Sequence, residues 1–316
     1  MVMTKHFDLD MIPDMSGKVC IVTGSNTGIG KACAMELASK GAHVIVASRN
    51  SSKGQEAVNE IKAETGNELI EYLQLDLMSL ASVTKFIEEF KAKNLPIHVL
   101  LNNAGIMANP FTLSEDGIES QFATNHASSL FPCDFSLIFH PSLPTNEFYS
   151  APSRIINVSS NGHRFIFCSG LKLQEMNDEK SYSPFGAYGR SKAANILFTR
   201  ELDQRLEAEG ITNVYVNANH PGVVDSELAR YSSVMIQAIL RKLVLISTKD
   251  GAITQLYLAT SPEVERDSIK GKYYIPFGME KAPQQESRSQ ENQTALWNYT
   301  EALLKEKIPN YPGAGI

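Results

Sequence analysis

A strand-length apolar run, Val19-Cys20-Ile21-Val22-Thr23, feeds without a linker into Gly24-Ser25-Asn26-Thr27-Gly28-Ile29-Gly30. A helical pattern then runs from about Ile29 to Lys40, where Gly41 stops it. Three glycines between a strand and a helix constrain a chain strongly. Their bare backbone lets N–H groups approach a ligand closely at a helix start, where the dipole favours negative charge. A tight turn without a ligand is the bland alternative. The strand before and the helix after supply the context that a pyrophosphate-binding turn of a βαβ unit requires. The spacing is GxxxGxG, not GxGxxG.

The alternation continues. His43–Ser48, Leu69–Leu77, His98–Ala104, Arg154–Ser160 and Val214–Pro221 read as strands, and Lys272–Ile275 as a seventh. Between them lie a helix capped by Ser51 and Ser52 that runs to about Glu64, a second from Ser79 to about Lys93, and a third that carries Tyr188 and ends near Glu209. A polar loop, Lys281 to Gln293, precedes a last helix near Thr294–Lys307. Nearly continuous apolar strands separated by helices imply a parallel sheet covered on both faces. Right-handed crossovers then give a doubly wound, Rossmann-type α/β fold. No linker divides the 316 residues, so a single domain is expected, with a nucleotide-binding half (17–105), a catalytic and substrate half (106–280) and a C-terminal extension (281–316).

Composition narrows the class. A chain that is 43% hydrophobic and 20% charged belongs with soluble globular proteins. A net charge of -6 with no basic cluster argues against nucleic-acid binding. Cys20, Cys33, Cys133 and Cys168 form neither CxxC nor a Cys/His cluster, so no metal is expected. Cys20 and Cys33 read as reduced, buried thiols. The N-terminus lacks the apolar run of a secretory signal, and no stretch reaches the roughly 18 apolar residues of a membrane helix. A cytoplasmic location follows as the expectation. Val234–Ile246, broken by Gln237, Arg241 and Lys242, reads as an amphipathic helix that touches substrate or a membrane surface.

Two further features point to chemistry. The second strand ends in Ser48-Arg49-Asn50, with no Asp or Glu to accept from a ribose 2′-hydroxyl. Arg49 can make charge-assisted bonds to a 2′-phosphate, and Ser48 and Asn50 can add neutral ones. NADP(H) is therefore favoured over NAD(H). Tyr188 and Lys192 lie four residues apart in a helical stretch, which puts both polar tips on one face among the small residues Gly189 and Ser191. By itself a YxxxK pair is common.

Taken in order along the chain, these motifs resemble the short-chain dehydrogenase/reductase family. Thr23–Gly30 is similar to its TGxxxGIG turn, with Ser25, Asn26, Thr27 and Ile29 completing the glycine framework. Asp76-Leu77 resembles the pair that contacts adenine, and Asn102-Asn103-Ala104-Gly105 the NNAG motif. Asn125 stands at the active-site Asn position, Asn157-Val158-Ser159-Ser160 ends the fifth strand, and Pro221-Gly222-Val223 follows the sixth. The surrounding sequence is similar to the retinol-dehydrogenase-like and carbonyl reductase branch. The resemblance implies hydride transfer between a nicotinamide and a carbonyl or alcohol carbon, with a small-molecule substrate and the possibility of homo-oligomers. It makes Tyr188 the general acid/base and has Lys192 bond the nicotinamide ribose. Lys192 and the positive nicotinamide lower a phenol value that is ordinarily near 10. Ser160 holds the substrate oxygen, with Ser159 as the alternative. Asn125 keeps a water in the proton path, and the backbone of Val223 meets the carboxamide. His163 and His220 are expected to pack or hydrogen-bond rather than carry protons. The segments Phe165–Pro184 and Leu228–Ile246 are expected to set specificity, and the apolar character of the second suggests a lipophilic carbonyl.

The chain departs from the family between 127 and 150. A long amphipathic helix should follow Asn125, yet Pro132, Pro141 and Pro144 would break it. Two readings stand. Phe131–Ser150 is translated intron or shifted frame, or it is a genuine insertion packed as irregular loop; a mature transcript containing the stretch excludes the first. The departure also admits an alternative function, a catalytically impaired NADP(H)-binding or redox-sensing protein. A nucleotide-sugar epimerase is disfavoured by the form of the glycine turn.

Overall fold

The computed structural model describes residues 6–128, 151–166, 170–224, 246–311 and 313–316. The glycine-turn unit forms as read: β1 (Val19–Thr23), then α1 (Gly28–Ser39), then β2 (His43–Ser48). Next come α2 (Ser51–Thr65), β3 (Ile70–Gln74), α3 (Leu80–Lys91) and β4 (Val99–Asn102). The second half has α4 (Ser120–Phe122), β5 (Ser153–Val158), α5 (Pro184–Ala208) and β6 (Val214–Asn219). It ends with α6 (Thr248–Thr260), α7 (Glu263–Arg266), β7 (Tyr273–Ile275), β8 (Met279–Glu280) and α8 (Gln290–Lys307).

Among the described residues the sheet has eight strands in the order β3-β2-β1-β4-β5-β6-β7-β8. All pairs are parallel except β7 with β8. Every residue of β1, β4 and β5 is buried, which is why these strands read as continuous apolar runs. One core layer packs α1, α2 and α6 on the sheet through Leu37, Ile61, Val46 and Leu256. The opposite layer packs α3 and α5 through Phe86, Phe90, Ile45 and Leu202. Helix α8 extends this second side, with Trp297 stacked on Phe198 at a 5.6 Å centroid separation.

Several boundaries differ from the sequence reading. Asn50, not Ser51 or Ser52, caps α2: its side chain accepts from Lys53 N at 3.0 Å. Gly66 closes that helix in the left-handed conformation, φ 69°. Helix α8 begins at Gln290, capped by Ser289, so part of the expected loop is helical. Helix α6 and strand β8 have no counterpart in the sequence reading. The helix bearing Asn125 starts at Ser120 and widens into a π turn over Ala123–Ala127. Ser128 then anchors it by donating to the Leu77 carbonyl at 2.8 Å. Most of the atypical 127–150 segment, the expected amphipathic helix before Ile246, Cys133 and Cys168 lie outside the described residues. Cys20 and Cys33 are buried free thiols, as read.

Candidate active site

The C-terminal ends of β1, β4, β5 and β6 open into one cleft of about 1060 Å³. It sits where the strand order reverses between β1 and β4, the usual ligand crevice of a doubly wound sheet.

The glycines shape one end. Gly24 and Gly28 hold left-handed φ values of 66° and 58°. A Cβ on Gly24 would come within 2.9 Å of the Ala104 backbone, and one on Gly30 within 2.6 Å of the Gly24 carbonyl. These two glycines therefore press the turn onto the β4 end. A Cβ on Gly28 would meet nothing within 4 Å, since that residue faces open cleft. Thr23 Oγ1 accepts from Asn103 N and Ala104 N, and Asn103 Nδ2 donates to the Thr23 carbonyl, so the Asn-Ala-Gly stretch is tied to the turn. Thr27 caps α1 without a side-chain bond, which leaves first-turn N–H groups to an outside acceptor. Asn26, Thr27, Ile29 and Gly105 line the cleft. Ser25 does not: it is fully buried and its hydroxyl donates to the Val22 carbonyl at 2.6 Å. Its expected cofactor role is corrected to a structural one, because the turn curls that side chain inward.

Ser48, Arg49 and Asn50 line the same end, as do Asp76 and Leu77. Ser48 Oγ is buried without a hydrogen-bond partner among the described residues, an orphan that a ribose or phosphate oxygen would satisfy. Arg49 is exposed at the strand end. Asn50 spends its amide oxygen on the α2 cap, which leaves its NH₂ group to a ligand. Lys53, absent from the sequence reading, lines the cleft beside them. Asp76 accepts from Met78 N at 3.0 Å, which fixes the carboxylate at this end of the cleft. The donors, the orphan hydroxyl and the glycine cradle fit a dinucleotide.

The other end gathers Ser160, Tyr188 and Lys192. Helix α5 starts with Pro184 behind a Ser183 cap, which puts Tyr188 in its second turn. The Tyr188 phenol lies close enough to the Ser160 side chain to be lowered by it. Gly162 N donates to Ser160 Oγ at 3.0 Å. Ser159 instead points its hydroxyl into the Lys192 carbonyl at 2.7 Å. Ser160 is thus the serine that meets the phenol. Lys192 Nζ lies 5.8 Å from the Tyr188 ring centre and donates to the Val158 carbonyl at 2.8 Å.

Burial dominates both titrating groups here. It holds the Lys192 ammonium down at about 7. It also pushes the Tyr188 phenol up to about 12, against the lowering by nearby Ser160. The expected lowering of the phenol by Lys192 is therefore corrected for the chain alone, where desolvation wins. Lys192 is accordingly a destabilising residue of the ligand-free fold. An unfolded lysine keeps its proton up to its ordinary 10.5, whereas the buried one releases it from about 7. Stability rises with pH across that window, because the unfolded state binds more protons there. Lys192→Met is expected to raise the melting temperature of the ligand-free protein at pH 7 by about 2–4 °C. Its advantage should shrink as pH climbs to 10. The Val158 carbonyl keeps its bond from Asn195 Nδ2 at 3.0 Å, so no acceptor is orphaned. Thermal melts across that range that show a less stable variant would refute the assignment.

Asn125 does not line the cleft. Its amide is spent on the Ile106 backbone, accepting at 2.8 Å and donating at 3.0 Å, and on Ser191 Oγ at 2.9 Å. The side chain of Asn125, the residue expected to keep a water in the proton path, is thus a clamp between the β4 loop and α5. Pro221, Gly222 and Val223 line the cleft with His220, whose Nδ1 accepts from Gly222 N at 3.4 Å. Phe165 and Phe185 meet edge-to-face, 6.3 Å apart, among the same lining residues. The described residues hold no group of His, Cys, Asp and Glu suited to a metal and no helix long and apolar enough to cross a membrane.

Residues 18–168 match the short chain dehydrogenase family profile. Human retinol dehydrogenase 12 is 39% identical over 295 residues, covering 92% of this chain and 87% of that protein. Polyprenol dehydrogenase of Mus musculus is 37% identical over 290 residues, covering 91% and 84%. A crystal structure of an uncharacterised Mycobacterium paratuberculosis protein superposes with a TM-score of 0.74 at 31% identity, covering 97% of this chain and all of that one. With its sheet order, glycine turn and Ser160–Tyr188–Lys192 cluster, the chain belongs to the short-chain dehydrogenase/reductase family and is retinol-dehydrogenase-like within it.

Proposed function

We propose that this chain is an NADP(H)-dependent oxidoreductase that interconverts a lipophilic aldehyde or ketone with its alcohol. The observation that carries the chemistry is the convergence of Ser160 and the Tyr188 phenol in the cleft that also holds the glycine turn. Tyr188 gives its proton to the carbonyl oxygen in reduction and takes one from the hydroxyl in oxidation. Ser160 donates to that oxygen and holds it against the phenol. Lys192, fixed by the Val158 carbonyl, turns its remaining N–H groups toward the Gly105 side of the cleft, where a ribose would lie. A bound nicotinamide supplies or accepts the hydride.

Arg49 just after β2 and Lys53 in the first turn of α2, with no carboxylate in the Ser48-Arg49-Asn50 stretch, support the phosphorylated cofactor. Apolar lining by Ile106, Met107, Phe165, Phe185 and Val223 supports a lipophilic substrate. The names of the retinol and polyprenol dehydrogenase relatives point the same way. NADPH oxidation with straight-chain aldehydes of increasing length tests this. Each added methylene buried is worth about 0.8 kcal/mol, so kcat/KM should climb roughly three- to fourfold per carbon until the cleft is filled. A flat length series would remove the lipophilic assignment. Tight NADPH binding without turnover would favour the catalytically impaired reading.

A further inference from the structure

Ser160 opens a short 3₁₀ segment, Asn161–Ile166, that lies directly on the catalytic helix. Only glycines separate the two. A Cβ on Gly162 would fall 2.7 Å from the Tyr188 ring, and one on Gly189 would fall 2.9 Å from the Gly162 carbonyl. Movement of this segment is therefore movement of Ser160 relative to Tyr188. His163 grips it. Its backbone N–H donates to the Ser160 carbonyl at 3.0 Å, and its ring Nδ1 lies 2.7 Å from that same oxygen. A carbonyl can only accept, so the ring must carry its proton on Nδ1. The imidazole is 1% exposed and stands edge-on to Tyr273 at 5.2 Å. A backbone donor already satisfies the Ser160 carbonyl, so a buried polar ring is not needed there to avoid an orphaned acceptor.

We propose that His163 is a positioning residue: its Nδ1–H bond to the Ser160 carbonyl locks the turn that aims the Ser160 hydroxyl at Tyr188 and the substrate oxygen. The inference rests on the Ser160–Tyr188 reading above. The competing account is that the ring merely fills space against Tyr273.

Three substitutions separate the two accounts. His163→Phe keeps a flat aromatic ring, a larger one, and removes the donor. His163→Asn places an amide N–H at the Nδ1 position, whereas His163→Gln places it one bond farther out. The Phe and Gln variants are expected to lose about 10- to 100-fold in kcat, the scale of a small displacement of a reacting group. The Asn variant should recover to within about threefold of wild type, and NADPH binding should stay within about threefold in all three. Wild-type kcat in His163→Phe, or equal rescue by Asn and Gln, would overturn the proposal. A parallel measurement needs no turnover. Imidazole ¹⁵N spectra of the wild-type protein should show a protonated Nδ1 at neutral pH; an Nε2–H tautomer, with Nδ1 bare, would defeat it equally. If Tyr188→Phe stays active, the underlying catalytic reading fails, while the spectra still decide on the His163 bond.

Discussion

Tyr188→Phe is expected to lower kcat by about 10²- to 10⁴-fold, the contribution of a positioned general acid/base. Affinity for NADPH should change by less than about tenfold, the scale of one neutral hydrogen bond. The fold should tolerate the change. The ring remains pressed on Gly162, and Ser160 Oγ keeps its bond from Gly162 N. Ser160 alone can polarise a carbonyl, but a serine hydroxyl is too weak an acid to replace the phenol as proton donor. Lys192 lies one helical turn from that phenol, 5.8 Å from the ring centre. The pH dependence carries a second signature. With the phenol up at about 12 in the ligand-free chain, the protonated form prevails at neutral pH and suits carbonyl reduction. Alcohol oxidation needs the phenolate, so its rate should rise with pH across this range, while reduction stays level until the phenol's own value is approached. The oxidation limb should vanish in the variant. Steady-state rates in the two directions from pH 6 to 10 check this, and a variant within tenfold of wild type would remove Tyr188 from the chemistry.

The parts of this site that were legible in the sequence are those where one local signal decides. A buried apolar strand that ends in a glycine turn can hardly be anything else, and Tyr188 with Lys192 needs only helical spacing to converge. The parts that were not legible depend on phase or on three-dimensional environment. Helix α6 escaped because ten of its 13 residues are buried, from Gly251 to Thr260, so it shows no polar stripe to set a period. Asn50, Ser51 and Ser52 are all good caps, and only the backbone geometry selects Asn50. That choice also fixes the phase of α2, and with it the turn of Lys53 toward the cleft. Ser25 and Asn125 occupy motif positions, yet both side chains are consumed by neighbouring backbone. The Tyr188 phenol was expected to be lowered by a nearby cation, but the spacing of two residues does not report how dry their surroundings are.

The second large effect concerns the cofactor. Arg49→Asp is expected to weaken NADPH binding by about 10- to 100-fold, since a hydrogen bond to a charged group is worth roughly 1.5–3 kcal/mol. NADH should gain, because the new carboxylate can accept from the ribose 2′-hydroxyl. The strand end is rigid enough for such a swap. Ser48 O accepts from Tyr72 Oη at 2.8 Å and from Leu75 N at 3.1 Å, and β2 stays in register with β3 up to Ser48 and Gln74. Residue 49 therefore leaves the sheet from a fixed point at the cleft. Lys53 supplies a second cation from the first turn of α2, so Lys53→Ala should weaken NADPH without favouring NADH. The double variant should lose less than the sum of the two, as expected of two cations that share the proposed 2′-phosphate contact. Salt offers an independent reading: NADPH affinity should fall with ionic strength more steeply than NADH affinity, and Arg49→Asp should remove the difference. Titration of both cofactors against wild type and the three variants decides the matter. An NADPH-to-NADH preference that moves by less than about threefold in Arg49→Asp would mean that the 2′-phosphate is read elsewhere, since a direct charged contact is worth more than that.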